Sequence, residues 1–215
     1  MSDWFYRLVR FVGTPAFFVS ASPVVLHLDR VRREGGYLLA SNHFSPYDVA
    51  LLIRHTPRLL DFVTIVEMYK IPWVRRFFTH MNTVALDRGR VDTVTTRRIL
   101  EKLKRGRVVA MFPEGRLQDE SGSVLSGGKI RTGVFGLAQK ADVPIIPCVI
   151  LGTRAYSRFV HWLPLRRTFY ALNYGEPMFP SGRWDDLVVA EQELRAVYRQ
   201  LHQELLEAIK GRRIL

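Results

Sequence analysis

The sequence predicts an α/β fold in which helices flank a mixed, largely parallel β-sheet. Short apolar runs alternate with amphipathic stretches along most of the 215 residues, a pattern typical of parallel strands joined by helices. The chain is long enough for one domain with a sizeable core, preceded by a short extension. The extension is a helical segment at the N-terminus whose composition differs from the rest.

Residues 1–23 are rich in aromatic and aliphatic side chains and predict this helix. On it, Asp3, Arg7, Arg10 and Thr14 form a narrow polar stripe surrounded by apolar side chains. Later prolines and serines make the segment a poor membrane-spanning helix. We therefore expect an interfacial or shallowly re-entrant membrane anchor, with the two arginines among lipid phosphates. A helix packed on the domain's own core is the alternative.

The domain is expected to comprise residues 24–215 without an internal boundary. Strands are predicted at 24–31, 37–41, 60–66, 83–86, 107–112, 143–151 and 169–174. Helices are predicted from 46, and at 71–80, 93–104, 130–139 and 184–210. A loop rich in glycine and serine is predicted between the fifth strand and the helix that follows it.

The charge balance indicates an anionic partner. The sequence has 32 Lys and Arg against 20 Asp and Glu, a net charge of +12, which suits nucleic acid, a phospholipid surface or a phosphorylated substrate. A solubilising surface is the alternative. The only cysteine, Cys148, excludes an internal disulfide, and the scattered histidines show no metal-ligand spacing, so no metal site is expected.

Candidate functional residues follow three of the predicted strands, at the point where each strand ends. They are His43, Asp87, Arg88, Glu114, Gly115 and Arg116. Because the carboxyl ends of parallel strands meet at one edge of a sheet, we expect these residues to share one rim. Lys129 and Arg131, at the start of a later helix, add positive charge near it.

His43 and Asp48 are the first candidate pair. A histidine just past a strand can act as a general base near neutral pH, and a carboxylate that accepts its other ring N–H fixes the tautomer. The alternative is local: Ser45 suits a helix N-cap, Pro46 the first helical position, and Asp48 the helix dipole. The N–H groups at this helix start are candidates to stabilise an oxyanion.

The remaining candidates suit an acceptor with a phosphate. Arg116 can form a bidentate pair with phosphate, Glu114 can accept from a hydroxyl, and Gly115 permits close backbone approach. Asp87 with Arg88 is either a phosphate clamp or a surface ion pair. The sequence has no G-x-S-x-G nucleophile elbow and no Walker loop. A lone His/Asp pair then favours direct transfer of an already activated acyl group.

Four motifs in order resemble the lysophospholipid acyltransferase superfamily, of the glycerophosphate and 1-acylglycerol-3-phosphate O-acyltransferase type. The motifs are Asn42-His43 with Asp48 (N-H-x4-D), Asp87-Arg88, F-P-E-G at 112–115, and V-P-I-I-P at 143–147. The resemblance spans roughly residues 24–178. It implies transfer of a fatty acyl chain to the free hydroxyl of a lysophospholipid such as 1-acylglycerol-3-phosphate, in phospholipid biosynthesis or remodelling.

The resemblance also implies roles and partners. His43 is expected to be the general base and Asp48 its orienting partner. The residues expected to bind the substrate are Asn42, Asp87, Arg88, Glu114, Gly115, Arg116 and Lys129. The acyl donor is expected to be an acyl-CoA or acyl-carrier-protein thioester, with no metal and no bound cofactor. The expected location is the cytoplasmic face of the inner membrane, peripheral or monotopic.

One departure from the usual family motif leaves the identity of the acceptor head group undecided. Arg116 directly follows Gly115, which resembles the subgroup acting on 2-acylglycerophosphoethanolamine, so lysophosphatidylethanolamine or a lyso-aminolipid is an alternative acceptor. A different class of function is a non-catalytic basic protein that binds a membrane or nucleic acid. The aromatic residues concentrate at the N-terminus, away from the basic clusters at 97–98 and 102–107, so no nucleic-acid partner is expected.

Overall fold

The architecture is given by a computed structural model that describes residues 3–87, 92–157 and 168–210. The helices are α1 (Asp3–Ser20), α2 (Tyr47–His55), α3 (Pro72–His80), α4 (Thr93–Lys104), α5 (Gly133–Ala141) and α6 (Leu187–Ala208). The strands are β1 (Ala21–Leu26), β2 (Tyr37–Ser41), β3 (Leu60–Ile65), β4 (Val84–Leu86), β5 (Val108–Met111), β6 (Ile145–Leu151) and β7 (Thr168–Tyr174).

These strands form one sheet in the order β1-β7-β6-β2-β5-β3-β4. Strands β6, β2, β5, β3 and β4 run parallel to one another. β7 is antiparallel to β6 and parallel to β1, so two strands at one edge are reversed. The predicted mixed, largely parallel sheet is confirmed. Its parallel part places the ends of β2, β5 and β4 at the same edge.

Successive side chains of the central strands enter two separate cores. In β2, Leu38 packs into a core with α4, α5 and α6, whereas Leu39 packs into a core on the other face with α1 and α2. Both side chains are completely buried. The alternation follows from the two-residue period of a strand. Because both faces are covered, these strands are apolar throughout, as expected for a buried parallel sheet.

The first strand differs from the prediction. A strand was predicted at 24–31, but β1 occupies Ala21–Leu26 and is followed by a short 3-10 turn, Leu28–Val31. His27 adopts a left-handed backbone conformation, with φ of 54°, which ends the extended run. The boundary between α1 and the sheet therefore falls after Ser20 rather than after residue 23. β1 lies at the sheet edge. Pro23 has no N–H to donate, and an edge strand tolerates this because one of its sides has no neighbouring strand.

Helix α1 packs on the domain with most of its polar stripe inward, apart from Arg7, which is exposed. Arg107 and Asn82 donate hydrogen bonds to Asp3, and Arg10 donates to the carbonyl of Pro57. Tyr6, on the same side, is completely buried. The sequence had predicted Arg7 and Arg10 among lipid phosphates. Arg10 instead binds protein, whereas Arg7 is exposed. Among the helices described, none is both long and apolar enough to cross a bilayer.

A buried ion cluster stabilises this side of the domain. Asp61, at the start of β3, has no exposed side-chain surface, and it accepts from Lys102 Nζ at 2.9 Å and Arg107 Nη2 at 2.7 Å. The same guanidinium reaches Asp3 of α1. Hydrogen bonding to Asp61 raises the pKa of Arg107 still further above its usual range. The cluster thus joins α1 to β3, α4 and the residue that precedes β5.

Asp61→Ala should destabilise the protein by about 3–5 kcal/mol, because it leaves two largely buried cations without their carboxylate. Chemical denaturation gives the free energy of unfolding. The control is Glu101→Ala, which breaks the Arg97–Glu101 pair on α4, whose side chains are 83% and 50% exposed. That change should cost less than about 0.5 kcal/mol. Equal losses in the two variants would contradict the role assigned to Asp61.

Candidate active site

His43 and Asp48 meet at the corner between β2 and α2. The Nδ1 atom of His43 lies 2.9 Å from Asp48 Oδ2, and Asp48 is completely buried. The same oxygen accepts the backbone N–H groups of Phe44 at 2.8 Å and Ser45 at 2.9 Å. A carboxylate oxygen beside Nδ1 favours the imidazole tautomer that is protonated on Nδ1. Nε2 is then the basic nitrogen. Asp48 therefore both orients His43 and shapes the helix start. The predicted cap was wrong by one residue, because α2 begins at Tyr47 with Pro46, not Ser45, at the N-cap.

The imidazole of His43 is also held by an aromatic ring. Phe112, at the end of β5, stacks on it with ring centroids 3.7 Å apart and an interplanar angle of 8°. Two restraints, the Asp48 carboxylate and the Phe112 ring, define the plane and the rotation of the imidazole. The sequence included Phe112 in the F-P-E-G motif but predicted no role for its ring. The available signal was its place at the strand end, immediately before Pro113 and Glu114.

Glu114 holds the backbone of His43. Its Oε2 accepts the His43 N–H at 2.7 Å, and its Oε1 accepts the Ser123 hydroxyl and the Val124 N–H, both at 2.9 Å. Gln118, four residues further on, donates its N–H to the His43 carbonyl at 2.8 Å. Burial raises the pKa of Glu114, and the hydrogen bonds that it accepts oppose this rise. Glu114 is therefore a positioning residue for His43.

A cavity of about 1390 Å³ adjoins His43. Five of the residues predicted to act in the site line it, namely His43, Asp87, Gly115, Arg116 and Lys129. Phe112, Arg131 and Lys140 line it as well. The remaining lining is largely apolar and includes Val9, Ile53, Phe62, Met68, Phe77, Phe78, Met81 and Ile99. The cavity thus combines cations with a long apolar surface beside one orientable base.

Asn42 and Glu114 are not among the described residues that line the cavity. Both are buried, and the side-chain amide of Asn42 donates to the Ile150 carbonyl and accepts the Ile150 N–H, at 2.9 and 2.8 Å. The structure therefore gives both residues bracing positions, and their predicted contact with substrate stays a prediction. Asn42 ties the end of β2 to β6. Arg88 lies outside the described residues.

Gly115 and Arg131 are matched in shape. Gly115 has φ of +75°, and a Cβ atom there would lie 2.1 Å from Nε of Arg131. The Arg131 backbone N–H donates to the Pro113 carbonyl at 2.8 Å, which fixes its start beside the loop. Only glycine allows the guanidinium to cross the backbone this closely. The sequence had placed Arg131 near the rim, but its contact with Gly115 depends on tertiary packing.

The backbone amides at the start of α2 are already occupied. Phe44 and Ser45 donate to Asp48, Tyr47 donates to the Ser45 hydroxyl at 3.3 Å, and position 46 is proline. These groups were predicted to stabilise an oxyanion, and the geometry contradicts that expectation. In the described part of the chain, no three His, Cys, Asp or Glu side chains lie together in a way that could hold a metal ion.

The sequence profile of the family described as Acyltransferase matches residues 23–151, more than half of the chain. The chain belongs to the acyltransferase family. The matched region of this acyltransferase begins in β1 and ends with β6, so it contains the His43–Asp48 pair, Glu114 and Gly115. All other described residues that line the cavity also fall within it, except Val9 and Glu191.

Two relatives are 1-acyl-sn-glycerol-3-phosphate acyltransferases. The protein of Saccharomyces cerevisiae is 30% identical over 122 residues, which are 54% of this acyltransferase and 39% of the yeast protein. A chloroplastic protein of Brassica napus is 30% identical over 117 residues, covering 53% and 32% of the two chains. The matches therefore span only 39% and 32% of the length of these relatives.

The crystal structure of the 1-acyl-sn-glycerophosphate acyltransferase PlsC from Thermotoga maritima superposes with a TM-score of 0.74. The alignment covers 98% of this chain and 82% of PlsC at 23% sequence identity. The two proteins therefore share a fold that includes nearly all of the present chain. At this identity the likeness concerns architecture, and the chemistry of the site rests on the residues described above.

Glu114→Gln should lower the free energy of unfolding by about 1–3 kcal/mol near neutral pH, because the new amide turns an N–H toward a backbone N–H donor. Ser123→Ala is the control at the other end of the same carboxylate. It removes one donor without touching His43 and should cost about 0.5–1.5 kcal/mol. A glutamine variant as stable as the wild type would contradict the bracing role.

The pH dependence gives a second measurement of the same group. A raised pKa means that folded Glu114 binds its proton more tightly than the unfolded chain does. Its contribution to stability is thus complete below the usual value of 4.5 and is lost as pH rises through the higher folded pKa. Denaturation at several pH values should show this decline in the wild type. Glu114→Gln should lack it.

Proposed function

We propose that the protein transfers a fatty acyl chain from an acyl thioester to the free hydroxyl of a lysophospholipid, with 1-acylglycerol-3-phosphate as the acceptor. One observation carries the proposal: a histidine oriented by a buried aspartate faces a cavity that has cations and a long apolar lining. The cations suit a phosphate, the apolar lining suits an acyl chain, and the histidine suits an alcohol that must lose a proton.

The proposed reaction uses His43 as a base and then as an acid. Nε2 takes the proton of the acceptor hydroxyl as its oxygen attacks the thioester carbonyl carbon. The C–O bond forms, the C–S bond of the tetrahedral intermediate breaks, and the imidazolium returns its proton to the leaving thiolate. Asp48 stabilises the transient positive charge through its contact with Nδ1. The donor is an acyl-CoA or an acyl-carrier-protein thioester.

The acceptor phosphate is proposed to bind where Arg116, Lys129 and Arg131 line the cavity, beside the N-terminal end of α5. Guanidinium groups pair with phosphate oxygens in two-pronged hydrogen bonds, and a helix N-terminus adds partial positive charge. The relatives named above act on 1-acyl-sn-glycerol-3-phosphate, which supports this choice. Asp87 and Glu191 also line the cavity, so an acceptor with an amine, such as lysophosphatidylethanolamine, is the second candidate.

Membrane attachment through α1 is part of the proposal. The helix turns Trp4, Leu8, Phe11 and Val12 outward while its opposite side packs on the domain. This arrangement suits a peripheral or monotopic protein whose apolar helix face enters the lipid interface. The net charge of +12 suits an anionic surface such as the cytoplasmic face of the inner membrane.

His43→Ala should lower the rate of acyl transfer by about 10²–10⁴-fold, because the acceptor hydroxyl loses its base. The measurement is thiol release with acyl-CoA and acyl-carrier-protein donors across a panel of lysolipid acceptors. His202→Ala, a histidine on α6 that is not among the described cavity residues, should retain full activity. Undiminished transfer by a folded His43→Ala protein would refute the mechanism, and the best acceptor in the panel decides the head group.

Gly115→Ala should raise the acceptor KM by about tenfold. The new methyl group displaces the Arg131 guanidinium and so weakens its proposed hydrogen bond to the acceptor phosphate. Gly127→Ala is a matched control, since Gly127 also has positive φ, +90°, but no atom lies within 4 Å of its Cβ position. It should show a similar loss of stability from backbone strain and an unchanged KM. An equal rise in KM for both would contradict the role of Arg131.

A further inference from the structure

Helix α3 and the turn before it, Val66–Lys70, expose apolar side chains toward solvent. Trp73 is 74% exposed, and Met68, Ile71 and Phe77 are 40–47% exposed. Single exposed apolar residues are ordinary, but a contiguous group marks an interaction surface. Met68 and Phe77 also line the cavity. This exposed surface therefore lies directly over the apolar part of the proposed substrate site.

The start of α1 packs on the end of α3. Asn82, just after α3, binds Asp3, and the Phe5 ring packs on Phe77 and His80, with centroid distances of 5.8 and 5.4 Å. Phe77 and Trp73 are four residues apart and share one face of α3. Val9 of α1 also lines the cavity together with Met68 and Phe77. The exposed apolar side chains of these two packed helices make up the surface that we call the α1/α3 face.

The α1/α3 face combines exposed apolar side chains with exposed cations. From α1 it includes Trp4, Leu8, Phe11 and Val12, and from the α3 region Met68, Ile71, Trp73 and Phe77. Exposed cations accompany them, namely Arg7, Lys70, Arg75 and Arg76. Aromatic and aliphatic side chains with arginine and lysine among them match the interface of an anionic bilayer, where rings enter the headgroup region and cations meet phosphates.

We propose that α3 is a second membrane contact, and that the α1/α3 face docks as a whole on a bilayer that contains anionic phospholipid. The proposal deepens the proposed function, on which it rests, because attachment there relied on α1 alone. Docking through both helices brings the apolar part of the cavity, lined by Val9, Met68 and Phe77, next to the lipid. A bilayer-resident acceptor then has a short apolar route to His43.

The only cysteine, Cys148, is completely buried, so one added surface cysteine can be labelled selectively in the full chain. Trp73→Cys, Phe11→Cys and Val188→Cys place a polarity-sensitive fluorophore on α3, on α1 and on α6, where Val188 is 64% exposed. With vesicles of phosphatidylcholine and phosphatidylglycerol carrying a spin-labelled lipid, emission should be quenched about twofold or more at positions 73 and 11. Position 188 should be unaffected.

Quenching at position 11 without quenching at position 73 would overturn the second contact and leave α1 as the sole anchor. Quenching at neither position would overturn both. Concentration-dependent self-association that is lost in Trp73→Glu, without lipid quenching, would show that the face joins two copies instead. Each of these outcomes concerns docking and is independent of the acyl-transfer chemistry.

A pair of charge substitutions separates docking from catalysis. Trp73→Glu should weaken vesicle affinity by about tenfold, whereas Val188→Glu should leave it unchanged. Both variants should transfer acyl groups at wild-type rates to a short-chain acceptor that is monomeric in solution. Equal vesicle affinity in the two variants would overturn the proposal. Absence of transfer to that acceptor even in the wild type would mean that the proposed function fails, whatever the docking result.

Discussion

A single buried carboxylate oxygen organises the site. Oδ2 of Asp48 accepts three hydrogen bonds, from the His43 ring and from the N–H groups of Phe44 and Ser45. The two backbone bonds turn the chain from β2 into α2, and the ring bond sets the tautomer of the histidine. One oxygen therefore shapes the corner and orients the base.

The neighbouring loop completes what Asp48 begins. Strands β2 and β5 are adjacent and parallel, so the loops that leave them start at the same height. Glu114 and Gln118 of the second loop bind the N–H and the carbonyl of His43 from opposite sides. A buried carboxylate is costly unless it accepts hydrogen bonds, and Glu114 accepts three. Its burial and its bonding together make the loop rigid where Gly115 and Arg116 meet the cavity.

Helix α1 has two contrasting sides. Its inner side is bound through Asp3 to Arg107, and through that arginine to the fully buried Asp61. Its outer side presents apolar side chains that the described part of the domain leaves exposed. A helix attached to the domain in this way transmits its orientation on a surface to the sheet. The cavity, which Val9 of α1 also lines, then has a defined orientation relative to that surface.

The sequence by itself determined the order of strands and helices, because two-residue and 3.6-residue apolar periods are local properties. It also placed His43, Asp87 and Glu114 at strand ends, and hence at one edge of a parallel sheet. Only the tertiary structure decided which of these side chains reach the cavity. Asn42 turns inward because its hydrogen-bond partner is on β6, far away in sequence. Glu114 turns inward because the loop that follows it folds back and supplies buried donors. The inward position of Asp3 and Arg10 on α1 was likewise undecidable locally, because their partners, Arg107 and Pro57, lie tens of residues away.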